Sequence, residues 1–249
     1  MKEVYIAYFD FMGFKEFILN NENEVLIRRM GHIFRDIEVC LGQGKYQEPS
    51  NGVLLADISK SKLNCLNISD TVLFWTNGCD FEALQELLNV AYEFNWREIG
   101  YNFPLRGALV KGEIKEVSGK NTNSEGGSYS VQCLYGKGLV LAHDIAEAQE
   151  WAGTIIDKSI INDLKKEING IEYLESLAVK YQVPFKNDEN HEFYVFKLKK
   201  GIITDEALKN VLEAVEKVFS QDNKSIDKKS VQLKINNTKD FIINTKNTY

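Results

Sequence analysis

The distribution of apolar and polar positions predicts a buried strand at the start of the chain. Residues 5–9 form an almost unbroken apolar run, which is typical of a strand covered on both faces. The run ends at one carboxylate, Asp10, and the turn at residues 11–14 leads into a predicted helix. A carboxylate in this position can hold a hard cation, and the amides of a glycine turn before a helix can bind phosphate oxygens. The alternative is a plain strand–helix junction in which Asp10 caps the helix.

Apolar residues at helical spacing predict a series of amphipathic helices. The first is expected to break near residues 20–21, and Ser159 is the expected N-cap of the fourth. The predicted helices cover residues 15–41, 81–100, 139–151, 159–168 and 205–219.

Strand-forming residues and turn signals predict an antiparallel hairpin over residues 63–75, with its tight turn at Ser69 and Asp70. The stretch 118–130 is rich in Gly, Ser, Asn and Thr, which predicts a surface loop. From Gln221 the chain is polar and lysine-rich, which predicts either a peripheral strand or a loosely ordered tail. Further strands are expected at 103–110, at 154–157 and at 193–198, and another strand is expected directly after a turn at Gly112. The peripheral strand of the tail would cover 231–235.

This order of elements predicts an α+β fold with a ferredoxin-like core, in which a central antiparallel sheet carries helices on one face. We expect a main domain over residues 1–200 and a helical C-terminal extension over residues 201–249, packed on the core or trailing it. In such a core the first strand and the hairpin are neighbours, so Asp10 and Asp70 are expected to meet at one edge of the sheet. Two carboxylates with no His or Cys nearby favour Mg²⁺ or Mn²⁺.

Composition narrows the class of protein. The 249 residues carry a formal net charge of −6, which argues against a general nucleic-acid-binding protein. We expect a cytoplasmic protein, because the sequence contains neither an apolar run of membrane-spanning length nor a signal-peptide pattern. The scattered cysteines predict free, buried thiols rather than a zinc site or a disulfide framework; they are Cys40, Cys65, Cys79 and Cys133.

Four motifs in residues 4–160 resemble those of class III nucleotidyl cyclases: residues 9–14, 69–71, 105–113 and 135–142. The resemblance implies a cyclase catalytic domain that binds two Mn²⁺ or Mg²⁺ ions per site. The implied metal ligands are the carboxylates of Asp10 and Asp70 and the carbonyl of Phe11. The backbone amides of the following turn would meet the phosphates, and they belong to Met12, Gly13 and Phe14. The resemblance also implies a head-to-tail homodimer whose sites lie across the interface.

The sequence departs from the adenylate cyclases of this family at four positions that read the purine or support the transition state. These positions carry Leu66, Cys133, Val140 and Asp144. The chain is most similar to the pyrimidine cyclases of bacterial Pycsar antiphage systems. That resemblance implies conversion of UTP or CTP, more readily UTP, to the 3′,5′-cyclic monophosphate and pyrophosphate, as a signal to a separate effector. A purine cyclase and an inert domain that binds a nucleotide or a partner remain alternatives.

Three further residues are candidates for substrate binding. Arg106 is the candidate for a cationic contact to phosphate or base, or else it forms an ion pair beside the sheet. Leu66 and Ile68 would line the base pocket with Cys133, or else they pack as ordinary strand residues. Such a pocket would select by shape more than by hydrogen bonds, which discriminates weakly on its own.

Overall fold

A mixed sheet with helices on both faces organises the chain. The computed structural model describes residues 1–49, 54–187, 190–198, 201 and 203–248. The strands in these residues are β1 (Lys2–Phe11), β2 (Asn64–Ile68), β3 (Thr71–Trp75), β4 (Leu105–Thr122), β5 (Ser128–Tyr135), β6 (Gly153–Ile156), β7 (Ala178–Pro184) and β8 (Asn190–Phe196). The helices are α1 (Phe14–Asn20), α2 (Asn23–Gly42), α3 (Phe81–Tyr101), α4 (Lys137–Ala148), α5 (Lys158–Leu164), α6 (Gly170–Leu177), α7 (Asp205–Ser220) and α8 (Lys229–Thr245).

The strand order is β2-β3-β1-β4-β6-β8-β7, and β5 pairs with the outer half of β4. Strand β1 lies between β3 and β4 and is antiparallel to both. The pair β4–β6 is parallel, and the other pairs are antiparallel. The predicted α+β fold class is therefore confirmed, with a sheet that is antiparallel apart from one pair.

Both faces of β1 are buried. Successive side chains of a strand point to opposite sides of the sheet, so the residues of β1 alternate between two clusters. Ala7 and Phe9 belong to the larger core, while Ile6 and Tyr8 belong to a second cluster on the other face. Helix α4 covers that second cluster. The prediction that helices lie on one face is therefore wrong: an unbroken apolar strand needs a cover on each side.

Helix α4 approaches the sheet closely at a pair of glycines. A methyl group placed on Gly138 would lie 2.8 Å from Ile6 Cδ1 and 2.9 Å from the Gly112 Cα. These distances are shorter than contacts between carbon atoms allow. Helix α4 can therefore lie this close to the sheet only because Gly138 has no side chain. Gly112 lies within β4, paired with Val4, and the turn expected there is not formed.

Strand pairing overrides the turn-forming composition of residues 118–130. Strands β4 and β5 pair from Lys115–Tyr135 to Thr122–Ser128, so the expected surface loop is reduced to residues 123–127. The predicted Ser159 N-cap is also wrong, because Asp157 caps α5 by accepting a hydrogen bond from the Ser159 amide at 2.8 Å.

The last segment of the chain forms a helix and not the peripheral strand expected at residues 231–235. Helix α8 buries Phe241, whose ring centroid lies 4.8 Å from those of Trp151 and Tyr181. The Thr238 hydroxyl accepts a hydrogen bond from the Ala152 amide at 2.8 Å. These contacts hold α8 against the segment that connects α4 to β6.

Over the part of the chain that the structure describes, the helices lack the combination of length and apolar character that a bilayer-crossing segment requires.

Candidate active site

The register of β1 and β3 brings Asp10 and Asp70 to one edge of the sheet. Asp10 lies opposite Thr71, and the Phe11 amide donates a 2.8 Å hydrogen bond to the Asp70 carbonyl. The hairpin turns tightly because Ser69 adopts a left-handed backbone conformation with φ of 56°. Asp10 and Asp70 therefore line one cavity of about 540 Å³.

The turn after β1 forms a second wall of this cavity. Gly13 has φ of 78°, a conformation that glycine adopts without the steric cost of a side chain. Met12, Gly13 and Phe14 all line the cavity. The Met12 amide, however, donates a 2.8 Å hydrogen bond to the Pro104 carbonyl. The Met12 amide was expected to donate a hydrogen bond to phosphate. In the structure this amide instead joins the turn to the segment before β4.

Arg106 lies opposite Asp10 in the β1–β4 pair. Its Nε donates to Asp10 Oδ2 at 2.9 Å. The other end of the guanidinium contacts the carboxylate of Glu147 and donates to the Glu147 carbonyl at 3.1 Å. Arg106 thus joins Asp10 to the end of α4, which corresponds to the ion pair that sequence analysis held as its alternative role.

The environment of the Asp10 carboxylate disfavours its ionised form. Burial raises its pKa above the ordinary value, the Arg106 ion pair opposes this shift, and the negative charges of Asp70 and Glu147 add to it. The net pKa remains raised. One guanidinium therefore does not fully compensate the cost of burying this carboxylate beside two others.

The donor set fits a hard divalent cation. Oxygen ligands without thiolate or imidazole favour Mg²⁺ or Mn²⁺, and the raised pKa of Asp10 shows that further positive charge would stabilise its ionised form. Among the described residues, no group of three or more His, Cys, Asp or Glu side chains forms a metal-binding cluster. Any ion here would therefore rely on the two aspartates, backbone carbonyls such as that of Phe11, substrate oxygens and water.

A second cavity adjoins the first at Asp70. It measures about 480 Å³ and is mainly apolar. Leu66 and Ile68 line it together with Val140 of α4. Sequence reasoning missed Tyr8, which is also part of its wall and which the alternation along β1 could have indicated.

Cys133 does not lie with Leu66 and Ile68. It is an exposed residue of β5 and is absent from the lining of the apolar cavity. The expectation that all four cysteines are buried holds only for Cys40, since Cys65 and Cys79 are half-buried. Cys133 is exposed because β5 projects with β4 beyond the main sheet. Within one chain, Cys133 and the leucine–isoleucine pair therefore do not form a single pocket.

The C-terminal extension contributes residues to the Asp10–Asp70 cavity that sequence analysis did not single out. The segment from the end of α7 to α8 provides Phe219, Lys224, Ser225, Val231 and Lys234. These residues lie about 150 to 165 positions beyond Asp70, and their spacing carries no recognisable motif. Packing of α8 on the core brings them to the site.

The comparison with solved structures shows that the chain has the fold of a class III nucleotidyl cyclase domain. The guanylate cyclase domain of RhGC from Catenaria anguillulae, solved in complex with GTP, aligns with a TM-score of 0.52 and 11% sequence identity. The alignment covers 80% of this chain and 98% of that one.

Two further solved structures show the same fold. A dimeric guanylyl cyclase domain of the RhoGC fusion protein from Blastocladiella emersonii aligns with a TM-score of 0.52 and 11% identity, over 79% of this chain and 96% of that chain. The catalytic core of a rhodopsin-guanylyl cyclase with converted specificity, in complex with ATPαS, aligns with a TM-score of 0.52 and 10% identity, over 80% and 96%. No protein-family model and no curated protein matches the sequence.

Proposed function

We propose that this protein is a cytoplasmic, metal-dependent nucleotidyl cyclase that converts a pyrimidine nucleoside triphosphate, UTP or CTP, to its 3′,5′-cyclic monophosphate and pyrophosphate. The observation that carries the proposal is the convergence of Asp10 and Asp70 on one cavity in a chain with a cyclase-domain fold. Either feature alone would be weak support, because a fold hosts many functions and paired carboxylates occur in many structural ion-pair networks.

In the proposed reaction, the ribose 3′-oxygen forms a bond to the α-phosphorus. The bond between the α-phosphorus and the oxygen that bridges it to the β-phosphorus breaks. The hydroxyl proton passes to solvent, and pyrophosphate leaves. Asp10, Asp70 and the Phe11 carbonyl would hold two Mn²⁺ or Mg²⁺ ions. Bound ions of this kind lower the pKa of the attacking hydroxyl and neutralise charge on the triphosphate.

The remaining contribution of the protein is positioning, since nucleophile and electrophile belong to one bent substrate. The amides of Gly13 and Phe14 would bind the phosphates beside the aspartates. Arg106 lines the same cavity wall and would add a cationic contact to phosphate or base while it stays paired with Asp10. Holding these donors before the reaction reduces the reorganisation that charge development would otherwise need.

The pyrimidine assignment rests on the adjoining cavity and on the sequence resemblance. Leu66 occupies the position at which related adenylate cyclases carry a purine-reading lysine, and the neighbouring wall is apolar. A purine substrate is the second candidate, because the cyclase domains with similar folds include complexes with GTP and ATPαS.

We further propose that the enzyme acts as a homodimer with sites across the interface, and that its cyclic product signals to a separate effector in antiphage defence. One of the similar folds is a cyclase domain described as a non-canonical dimer. The apolar cavity is open on one chain and includes Val140, which is 60% exposed, as a surface completed by a second copy would be.

Incubation of the purified protein with each of the four ribonucleoside triphosphates and Mn²⁺, followed by chromatography and mass spectrometry, tests the proposal. Cyclic UMP or cyclic CMP is the expected product. Turnover of ATP or GTP alone would replace the pyrimidine assignment with the purine one. No cyclic product from any triphosphate, with either Mn²⁺ or Mg²⁺, would indicate an inert cyclase fold.

A further inference from the structure

The loop between α7 and α8, residues 221–228, carries a buried lysine into the wall of the Asp10–Asp70 cavity. Lys224 is only 6% exposed. Its Nζ is buried and has no hydrogen-bond acceptor among the described residues. The nearest ring contact is Phe103, whose centroid lies 4.4 Å from Nζ.

The stem of Lys224 packs on the turn proposed to bind phosphate. A methyl group placed on Gly13 would lie 3.0 Å from Lys224 Cδ, so the lysine side chain runs directly across this glycine. Lys224, Gly13 and Asp10 line the same cavity. The lysine is therefore a neighbour of the turn and lines the same cavity as the carboxylates.

Hydrogen bonds from α1 and the following residue fix the loop that carries Lys224. The Asn20 side chain donates to the Asn223 carbonyl at 2.9 Å, and the Asn21 side chain donates to the Asp222 carbonyl. Asp222 and Asn223 both adopt left-handed backbone conformations, with φ of 59° and 57°. Two consecutive residues in this conformation are costly in the unsupported chain, so these bonds hold a specific loop shape.

The loop has a further anchor in α2. Arg29 Nε lies 2.8 Å from Asp222 Oδ2, and both side chains are largely buried. Asp222 is therefore paired with Arg29, two residues before Lys224. The fixed loop thus directs the lysine inwards without giving it a carboxylate at hydrogen-bonding distance.

A purely structural side chain at this position would not need a charge. A methionine or leucine would pack on Phe103 without the cost of burying an ammonium group, which a cation–π contact offsets only in part. The other lysine of the extension in this cavity, Lys234, lies 3.3 Å from Glu150 Oε1. Lys224 is thus a cation held ready for an anion.

We propose that Lys224 binds the terminal phosphates of the nucleoside triphosphate in the Asp10–Asp70 cavity, so that the C-terminal extension forms part of the substrate site. The proposal rests on the proposed function for the identity of the nucleotide, but the phosphate contact itself can be measured without turnover. Lys224 would bind charge on the leaving pyrophosphate, beside the turn at Gly13.

Binding of inorganic tripolyphosphate in the presence of Mn²⁺, measured by isothermal titration calorimetry on the full chain, is the direct test. Lys224→Met should weaken binding at least tenfold, and Lys224→Arg should recover most of the affinity. Lys229→Met is the matched control: this lysine is exposed at the start of α8, and its removal should leave the affinity within twofold of wild type. Equal affinities of Lys224→Met and wild type would overturn the proposal.

Turnover separates this inference from the proposed function. If wild type forms a cyclic nucleotide, Lys224→Met should raise KM at least tenfold with the same product, and an unchanged KM would refute the lysine's role alone. If no triphosphate is cyclised but tripolyphosphate binding still depends on Lys224, the function fails while the phosphate site stands. If thermal unfolding shows that Lys224→Met is not folded, Lys224→Gln, which keeps a polar group without the charge, carries the same comparison.

Discussion

Asp10 and Arg106 show how two residues of opposite charge can share one catalytic candidate site. The sheet register fixes the pair, because the residues face each other across β1 and β4. Asp70 approaches from the hairpin turn and raises the pKa of Asp10 further. The carboxylates of this cavity are matched by cationic side chains in its wall, among them Arg106, Lys224 and Lys234, an arrangement that suits a site for phosphate and its metal ions.

Replacing Asp70 with alanine should abolish product while leaving the fold intact. Asp70 is a half-exposed turn residue, so its side chain contributes little to the core. Loss of a proposed metal ligand should lower kcat by about 100-fold or more, since one charge-stabilising group at a reacting phosphate is commonly worth that factor. Product would be measured by mass spectrometry, and folding by circular dichroism.

The control for this variant is Glu38→Ala, which removes an exposed carboxylate of α2 that lies outside both cavities. It should leave kcat unchanged. Full activity of Asp70→Ala would exclude this aspartate as a metal ligand.

Lys224→Met should make the protein more stable, by about 1–3 kcal/mol at pH 7, the usual cost of burying a polar group without a partner. Burial lowers the pKa of Lys224 from its ordinary 10.5 to about 8; Asp222 opposes this shift and Arg29 adds to it. The unfolded chain therefore binds the extra proton between about pH 8 and 10.5, and wild-type stability rises with pH across this window.

The stability difference between Lys224→Met and wild type should accordingly shrink as the pH is raised from 8 to 10.5. Urea denaturation at several pH values measures it. A variant that is less stable than wild type at pH 7 would show that the ammonium–Phe103 contact is a net structural contribution.

At the scale of elements, α4 depends on two glycines for its position. Gly138→Ala would force a methyl group against Gly112 and Ile6, and overpacking of this kind typically costs about 1–3 kcal/mol. Because α4 also carries Glu147, which contacts Arg106, the variant should lose activity as well as stability. Urea denaturation and the cyclase assay would measure the two effects.

Gly31→Ala is the matched control for Gly138→Ala, because Gly31 lies in a helix, α2, with free space around its Cα. A methyl group there would meet nothing within 4 Å, so better helix propensity should raise stability by about 0.5–1 kcal/mol. Similar effects of the two substitutions would mean that α4 can shift to accept the extra group.

The elements that the sequence predicted well are those whose periodicity agrees with their packing. Strand β1, the β2–β3 hairpin and helices α2, α3 and α7 follow this rule. The β4–β5 pair was not predicted. Its glycines, serines and asparagines favour turns locally, whereas pairing between the two strands determines the structure. Helix α8 was hidden for the opposite reason: its apolar face is sparse, and its burial depends on Trp151 and Tyr181, distant in sequence.

The candidate site divides in the same way. Asp10 and Asp70 could be anticipated because each closes a recognisable strand and the two strands are neighbours. The contacts of Glu147 with Arg106 and of Met12 with Pro104 could not, since neither follows from local pattern. Lys224 reaches the cavity only through a loop shape that depends on Asn20 and Asn21.

At the scale of the whole molecule, the exposed apolar residues around the second cavity support assembly with another copy. Val140→Glu should convert the proposed homodimer to a monomer, because it places a charge on a surface that a dimer would bury. Light scattering should then change from twice the chain mass of 28.5 kDa to that mass, with loss of cyclase activity.

Ile168→Glu is the control for surface hydrophobicity, since Ile168 is 91% exposed and lines neither cavity. It should remain a dimer. A wild-type protein that is monomeric at all concentrations with full activity would contradict sites shared between subunits.

The involvement of residues 219–234 in the cavity has a consequence for synthesis on the ribosome. The two aspartates of the cavity are translated within the first seventy residues, whereas Lys224 and Lys234 emerge more than two hundred residues after Asp10. A nascent chain that has not reached this segment would therefore have the aspartates without Lys224. Such a fragment should fail to retain polyphosphate, so the proposed phosphate contact would form only after the segment that joins α7 to α8 has been translated.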